Sequence, residues 1–347
     1  MSEGISLGEL AVRFGCTLQG DPGVTVRRVG TLESAAADAV TFLANPKYRR
    51  FLASTQAGAV ILEPAFAAEC RVPALLHKNP YATYARIASV LHPFTSAPAG
   101  IHPSAVIDPS AIIDASAAIG PLSVIGARAR IGERAVIGPH CIVQQDAVIG
   151  TDTRLSASVT LCERVVVGER CLLHPGVVIG ADGFGFAPDR GGLVKVPQVG
   201  AVRIGNDVEI GANTTIDRGA IEDTVIEDGV KLDNQIQIGH NVRVGEHTVI
   251  AACTGISGST VIGKRCLIGG LVGMAGHISI GDDVVIAGKS AVSNSIDKPG
   301  MYSNVLILEE ATKWRRNAVR VKQLDDLAKT VKQLSRGADS EKTDADE

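Results

Sequence analysis

From Ile101 to Ile179 every sixth residue is aliphatic, beginning Ile101, Ile107, Ile113 and closing Val167, Leu173, Ile179. The period returns at Ile204, Ile210 and Ile216, and again from Ile226 through Leu232, Ile238 and Val244 to Val292. An α-helix repeats every 3.6 residues and a strand every two, so neither yields a strict six. A parallel β-helix of hexapeptide repeats does. Four places after each aliphatic stands a small residue, as at Ala105, Ala111, Ala117, Ser123 and Ala129. The branched side chain fills the interior and the small one sits where the walls converge. Glycine often follows the aliphatic directly, as in Ile119-Gly120 and Ile131-Gly132, and is expected to permit the tight corner. Three units make a coil, and coils stacked as parallel strands rise roughly 4.8 Å each, giving a prism on the order of 45 Å long.

Outside residues 101–300 the six-residue period is absent. Leu7, Leu10, Ala11 and Phe14 suit a short helix begun by Ser6 and ended by Gly15. Val24–Val29 and Ala59–Leu62 read as strands, and Pro46–Ser54 and Tyr81–Leu91 as helical, so residues 1–100 form a small α/β domain. Pro93–Pro98 is a linker. Within the prism, the stretch between Ile179 and Ile204 holds Gly183, Phe184, Gly185, Phe186, Gly191 and Gly192, an insertion expected to loop out from a corner. A step of ten from Ile216 to Ile226 implies a smaller bulge. From 301 to 337 the period turns helical, with Trp314, Ala318, Val321, Leu324, Leu327, Val331 and Leu334 in one stripe. That stripe needs a partner, either the open end of the prism or other copies of the chain. Residues 338–347 are small and charged and are expected to be disordered.

Composition narrows the function. Aromatics are 3% of the chain, as a narrow aliphatic interior requires. The net charge of -3 does not suggest nucleic acid. The seven cysteines form no CxxC pair and read as small hydrophobes in a reducing compartment. With no signal pattern and no long apolar run, the protein is expected to be cytoplasmic. Zinc would need three converging imidazoles; His240 and His247 fall at different places in the unit, and no third histidine joins them, so no metal is expected.

Register arithmetic points elsewhere. His240 stands two residues after Ile238. One coil on is Gly258, and two coils on is position 276, beside His277. The three should line one edge of the prism. Asp233, seven residues before His240, is expected to orient its imidazole. A histidine held by a carboxylate next to a bare backbone N–H is a general base beside an oxyanion donor.

Several segments carry a resemblance. GVVIGADGFGFAPD (176–189), KVPQVG (195–200), IGANTTIDRGA (210–220), LDNQIQIGHNV (232–242) and GMAGHISIGD (273–282) lie in the prism; FLANPKY (42–48) and KNPYATYARI (78–87) lie before it. Together they resemble the UDP-3-O-(3-hydroxyacyl)glucosamine N-acyltransferases of lipid A biosynthesis, over nearly the whole chain. The resemblance implies a left-handed β-helix, a homotrimer with active sites between subunits, and a 3-hydroxyacyl group moved from acyl carrier protein to the 2-amine of a UDP-sugar. It implies His240 as base, Asp233 as its support, the Gly258 N–H as oxyanion donor and His277 near the thioester arm. In the N-terminal domain it implies that Phe42 and Tyr48 sandwich uracil while Asn45 binds its edge. Gly239 stands where alanine is common, and NVLILEEATKW (304–314) replaces a Gly-Ile-Pro-rich segment.

Lys313, Arg315, Arg316, Arg320 and Lys322 fall within ten residues with no acid among them, which suits an acidic carrier protein. Two other readings compete. Another sugar-nucleotide N- or O-acyltransferase would use the same scaffold. A non-catalytic solenoid would not need Asp233, His240 and Gly258 in register.

Overall fold

The computed structural model describes residues 4–94, 97–304 and 308–343. The chain divides into Met1–Ala97 and Pro98–Glu347.

In the N-terminal unit, helix α1 (Leu7–Phe14) starts where the Ser6 side chain accepts from the Glu9 N–H, and stops at Gly15, whose φ of 66° only glycine takes freely. Helix α2 spans Pro80–Leu91 and is capped by Asn79. The strand expected at Ala59–Leu62 forms the middle of a five-stranded sheet and is buried throughout. Its parallel neighbours are Ala39–Phe42 and Ala74–Leu76. Pro46–Phe51 is a 3-10 helix. Leu7, Leu10, Val40, Ile61, Leu75 and Ile87 pack on one side of the sheet, and Leu32, Leu52, Val60 and Leu62 on the other.

The second unit is the parallel β-helix. Two- to four-residue strands build three faces of eleven, ten and nine strands. Partners stand one coil apart, as in Ile119↔Ile137 and Ile238↔Ile256. The six-residue series from Ile119 onward is buried as one continuous core. At several of the small positions, hydroxyls stitch successive coils: the Ser123 Oγ donates to the Gly138 carbonyl at 2.7 Å and accepts from the Cys141 N–H at 3.1 Å, and Thr153 does the same for Gly168 and Cys171.

The corner differs from the sequence reading. The left-handed backbone is taken three residues after most of the aliphatics, by twenty-one non-glycine residues with φ between 51° and 63°, Arg128, Asn241 and His277 among them. The isolated conformation is unfavourable for such residues. It is held here because it turns the N–H along the axis onto the preceding coil, as from Asp146 to the Ala127 carbonyl at 2.9 Å. The glycines directly after the aliphatics answer another need. A Cβ on Gly120, Gly126, Gly132, Gly138 or Gly150 would meet the next coil's backbone at 2.6–3.0 Å. They allow close stacking rather than the bend.

The insertion after Ile179 is an antiparallel hairpin, Phe186–Asp189 with Gly192–Lys195, and the prism resumes at Val202–Ile204. Beyond the prism, helix α3 (Ala311–Lys322) and helix α4 (Leu324–Thr343) follow. The tail expected to be disordered from 338 is helical through Thr343, because extending a helix already nucleated upstream costs far less than starting one; residues 344–347 lie outside the described residues. The apolar stripe does not cap the prism in the single chain: Trp314, Val321, Leu324, Leu327, Val331 and Leu334 are all exposed. Among the described residues no helix is long and apolar enough to cross a membrane.

Candidate active site

A cleft of about 850 Å³ opens on the ten-strand face, lined by Asp182, Phe184, Phe186, Asp217, His240 and Gly258 among others. His240 is placed by the repeat itself. Ile238 points inward, Gly239 lets the coils close up, and Asn241 takes the left-handed corner at φ 60°. The imidazole is left partly exposed where the ten-strand face ends.

Hydrogen bonds around Asn241 fix the tautomer of that ring. The Asn241 Nδ2 donates to the Glu222 carbonyl at 2.8 Å, and its Oδ1 accepts from the Ala220 N–H at 3.0 Å. These partners fix which end of the carboxamide is oxygen. The same Oδ1 lies 3.0 Å from the His240 Nδ1, so Nδ1 must carry the proton and donate. Nε2 is then the basic nitrogen, and it faces Gly258. A Cβ on Gly258 would fall 2.6 Å from it.

The Gly258 N–H has no acceptor among the described residues. At the same place in other units a side chain from a neighbouring coil caps this group. Asp282 takes the Lys264 N–H, Asn234 takes that of Ala212, and Asp233 takes that of Ala252. An uncapped N–H beside a basic nitrogen is a donor waiting for an anion.

Asp233 does not orient His240 within the chain. Its oxygens accept from the Asn234 and Ala252 N–H groups at 2.8 and 3.1 Å. It lines a separate cleft on the eleven-strand face with His174, Glu209 and Lys231. Seven residues exceed one hexapeptide, so Asp233 sits at the previous edge, a full face away. Asn241, the residue next to the histidine, orients the ring instead. His277 is also displaced. It occupies the left-handed corner position, one residue beyond the register of His240 and Gly258. Its N–H donates to the Gly258 carbonyl at 3.1 Å while its side chain is exposed and absent from the cleft lining.

The carboxylate that shares the cleft is Asp217, which the sequence reading passed over. Its Oδ2 accepts from the Gln237 Nε2 at 3.0 Å. Burial pushes its carboxyl above the ordinary range, against the pull of that hydrogen bond and of His240. The rim of the cleft comes from the inserted hairpin. Phe184 and Phe186 meet edge to face with centroids 5.0 Å apart, and Lys195 pairs with Asp182 at 2.5 Å. Among the described residues no three His, Cys, Asp or Glu side chains gather to hold a metal ion.

In the N-terminal unit a cavity of about 760 Å³ is lined by Phe42, Asn45, Tyr48, Tyr81, Tyr84 and Glu33 among others. It lies where the strand Ala39–Phe42 ends. The three residues read from FLANPKY do share it. Phe42, however, already stacks on Tyr84 at 4.2 Å and lies 5.5 Å from Tyr81. The Asn45 Oδ1 caps the 3-10 helix through the Lys47 N–H at 3.0 Å, a bond that does not use its amide nitrogen. Tyr81 and Tyr84 were visible in KNPYATYARI only as a motif.

The five basic residues of α3 are exposed but do not form one patch. At 100° per residue Lys313, Arg316 and Arg320 share one side, while Arg315 and Lys322 lie opposite. Lys313 also pairs with Glu309 at 3.0 Å.

The family model described as UDP-3-O-(3-hydroxymyristoyl) glucosamine N-acyltransferase, LpxD, matches residues 24–90, and a bacterial transferase hexapeptide model matches 223–258. The UDP-3-O-acylglucosamine N-acyltransferase of Hahella chejuensis is 49% identical, covering 98% of this chain and 98% of its own. The enzyme of the same description from Bordetella bronchiseptica is 51% identical over 90% of this chain and 89% of its own. Among solved structures, a UDP-N-acetylglucosamine acyltransferase from Francisella novicida aligns with TM-score 0.48 and 23% identity, over 59% of this chain and 67% of that one. On the strength of its near full-length likeness to the curated enzymes, the chain belongs to the UDP-3-O-acylglucosamine N-acyltransferases, hexapeptide-repeat acyltransferases of lipid A biosynthesis.

Proposed function

We propose that His240 deprotonates the 2-amine of a UDP-3-O-acylglucosamine while that nitrogen attacks the thioester of a 3-hydroxyacyl carrier protein. The reading rests on one observation: an imidazole tied at Nδ1 to Asn241, with its Nε2 turned to an uncapped backbone N–H in an open cleft. The amine nitrogen bonds to the carbonyl carbon, and the carbonyl oxygen becomes an oxyanion. The Gly258 N–H meets that oxygen, on the order of 3 kcal/mol for one good donor. His240 takes the amine proton, a general-base contribution of about 10²–10⁴-fold. The C–S bond then breaks, and the proton passes to the departing sulfur. Asp217 balances the charge of the transient imidazolium. Asp233 and His277 enter this scheme only if a neighbouring subunit brings them to the cleft.

The uridine is assigned to the cavity of the N-terminal unit. Phe42 and Tyr48 hold the base, with Tyr81 and Tyr84 backing Phe42, and Asn45 binds its edge.

The decisive experiment incubates the purified protein with UDP-3-O-acylglucosamine and a panel of 3-hydroxyacyl carrier proteins, and reads the N-acylated product by mass. Product only from a different amino sugar, or only from acyl coenzyme A, would replace this reading with another sugar-nucleotide acyltransferase.

Carrier docking is assigned to α3. Reversing Arg316 and Arg320 to glutamate is expected to raise the apparent KM for the carrier roughly tenfold at low salt, with kcat retained. An unchanged KM would end the docking assignment. The exposed stripe of α3 and α4 is assigned to self-association as a homotrimer, and a monomeric mass by light scattering would refute it. The protein is placed in the cytoplasm, where its nucleotide-linked acceptor and carrier-bound donor would meet; co-fractionation with membranes after a salt wash would contradict this.

A further inference from the structure

Gln198 lies on the segment that returns the inserted hairpin to the prism, and it is 7% exposed. Its Nε2 donates to the Val196 carbonyl at 3.1 Å, while its Oε1 is buried and accepts nothing among the described residues. The carboxamide is gripped by two glycines. A Cβ on Gly185 would fall 2.7 Å from Nε2, and one on Gly183 would fall 2.9 Å from Oε1. That same point on Gly183 lies 2.7 Å from the His240 Cβ and 3.1 Å from its Cδ2. Gly183 therefore lies between Gln198 and the Cβ–Cδ2 edge of His240.

We propose that Gln198 is a positioning residue for the acyl transfer: its carboxamide seats the Gly183–Gly185 turn against the Cβ–Cδ2 edge of His240 and so keeps Nε2 directed at Gly258. The proposal rests on His240 being the base. Asn241 fixes the ring's proton but grips only Nδ1, so the ring still needs a wall to stop it swinging about χ1. The Gly183 peptide is that wall, and it has no side chain of its own to anchor it. Gln198 packs behind it against both glycines, and the Val196 carbonyl holds its carboxamide there. An amide serves here where an acid would not. Asp217 already faces the imidazole in the cleft, and the other two charges there, Asp182 and Lys195, neutralise each other. A second carboxylate behind Gly183 would favour the protonated ring.

The test compares full-length parent, Gln198→Leu, Gln198→Glu and His240→Ala in the same carrier-protein assay, with thermal midpoints and solution mass recorded. Gln198→Leu keeps shape and burial but loses the anchor. Its kcat is expected to fall about 10–100-fold, with both KM values within about twofold and the midpoint unchanged. Gln198→Glu is expected to move the acid limb of the kcat profile upward by about one pH unit. A purely structural role would lower activity without moving that limb. Parental kcat in Gln198→Leu, or an unmoved limb in a folded Gln198→Glu, overturns the proposal. Retained turnover in His240→Ala instead overturns the assignment of the base, which separates the two failures.

Discussion

Replacing His240 with alanine lowers turnover by about 10²–10⁴-fold and leaves the fold intact. The loss is large because the general base has no evident substitute. Asp217 is engaged by the Gln237 amide, and Lys195 by Asp182. The fold survives because the side chain stands at a partly exposed corner while the stacking is done by backbone and by Ile238. Asn241 also keeps its bonds to Ala220 and Glu222 without the imidazole. The thermal midpoint is expected to stay within about 2 °C. Steady-state kinetics and calorimetry on one preparation check both halves. Near-parental turnover would remove His240 from the mechanism, and a collapsed midpoint would make the activity loss uninformative.

Gly258→Ala is expected to lower kcat by about 10²–10³-fold with little change in the KM for the UDP-sugar. The backbone at Gly258 is not left-handed, so alanine brings no conformational strain there. The new methyl would lie 2.6 Å from the His240 Nε2 and 2.7 Å from its Cε1. Both belong to a movable side chain, so the imidazole rotates away and the coil holds. One methyl thus disturbs the base and crowds the oxyanion donor together. The neighbouring Gly239 makes the contrast. A Cβ there would meet the Gly258 nitrogen at 2.8 Å and the Ile256 carbonyl at 3.0 Å. Those atoms are backbone rather than imidazole, so Gly239→Ala acts on the spacing of the coils and not on the base, a change that the resembling enzymes with alanine at this place accommodate. Kinetics of Gly258→Ala and Gly239→Ala beside their melting curves distinguish a lesion of chemistry from one of fold. A Gly258→Ala enzyme with parental kcat would mean that its N–H and the adjacent space play no part.

The alignment of His240 with Gly258 was legible in the sequence. In a solenoid, residues 18 apart are neighbours wherever the period is unbroken, and strand pairing of Ile238 with Ile256 holds that register. The same arithmetic could have placed Asp233 correctly. Seven residues span more than one face, so it belongs to another edge, and it caps a corner there. His277 shows the sharpness of the rule. One residue of offset moves a side chain from the cleft to a left-handed corner pointing into solvent.

By itself the sequence determined the prism, its buried aliphatic column, the edge that carries the imidazole and the aromatic-asparagine motif of the first domain. These follow from a local period that each coil repeats against the last. The tertiary structure alone decided which nitrogen is basic, because that depends on Asn241 being read by Ala220 and Glu222 across an irregular bulge. It alone placed Asp217 and Gln198, since the bulge after Asp217 and the hairpin before Gln198 break the period and no register arithmetic survives an insertion. It alone divided the basic residues of α3 into two faces, through the phase of the helix. The repeat fixes what stacks along the axis. What meets across a corner is set by the segments that leave the repeat and return.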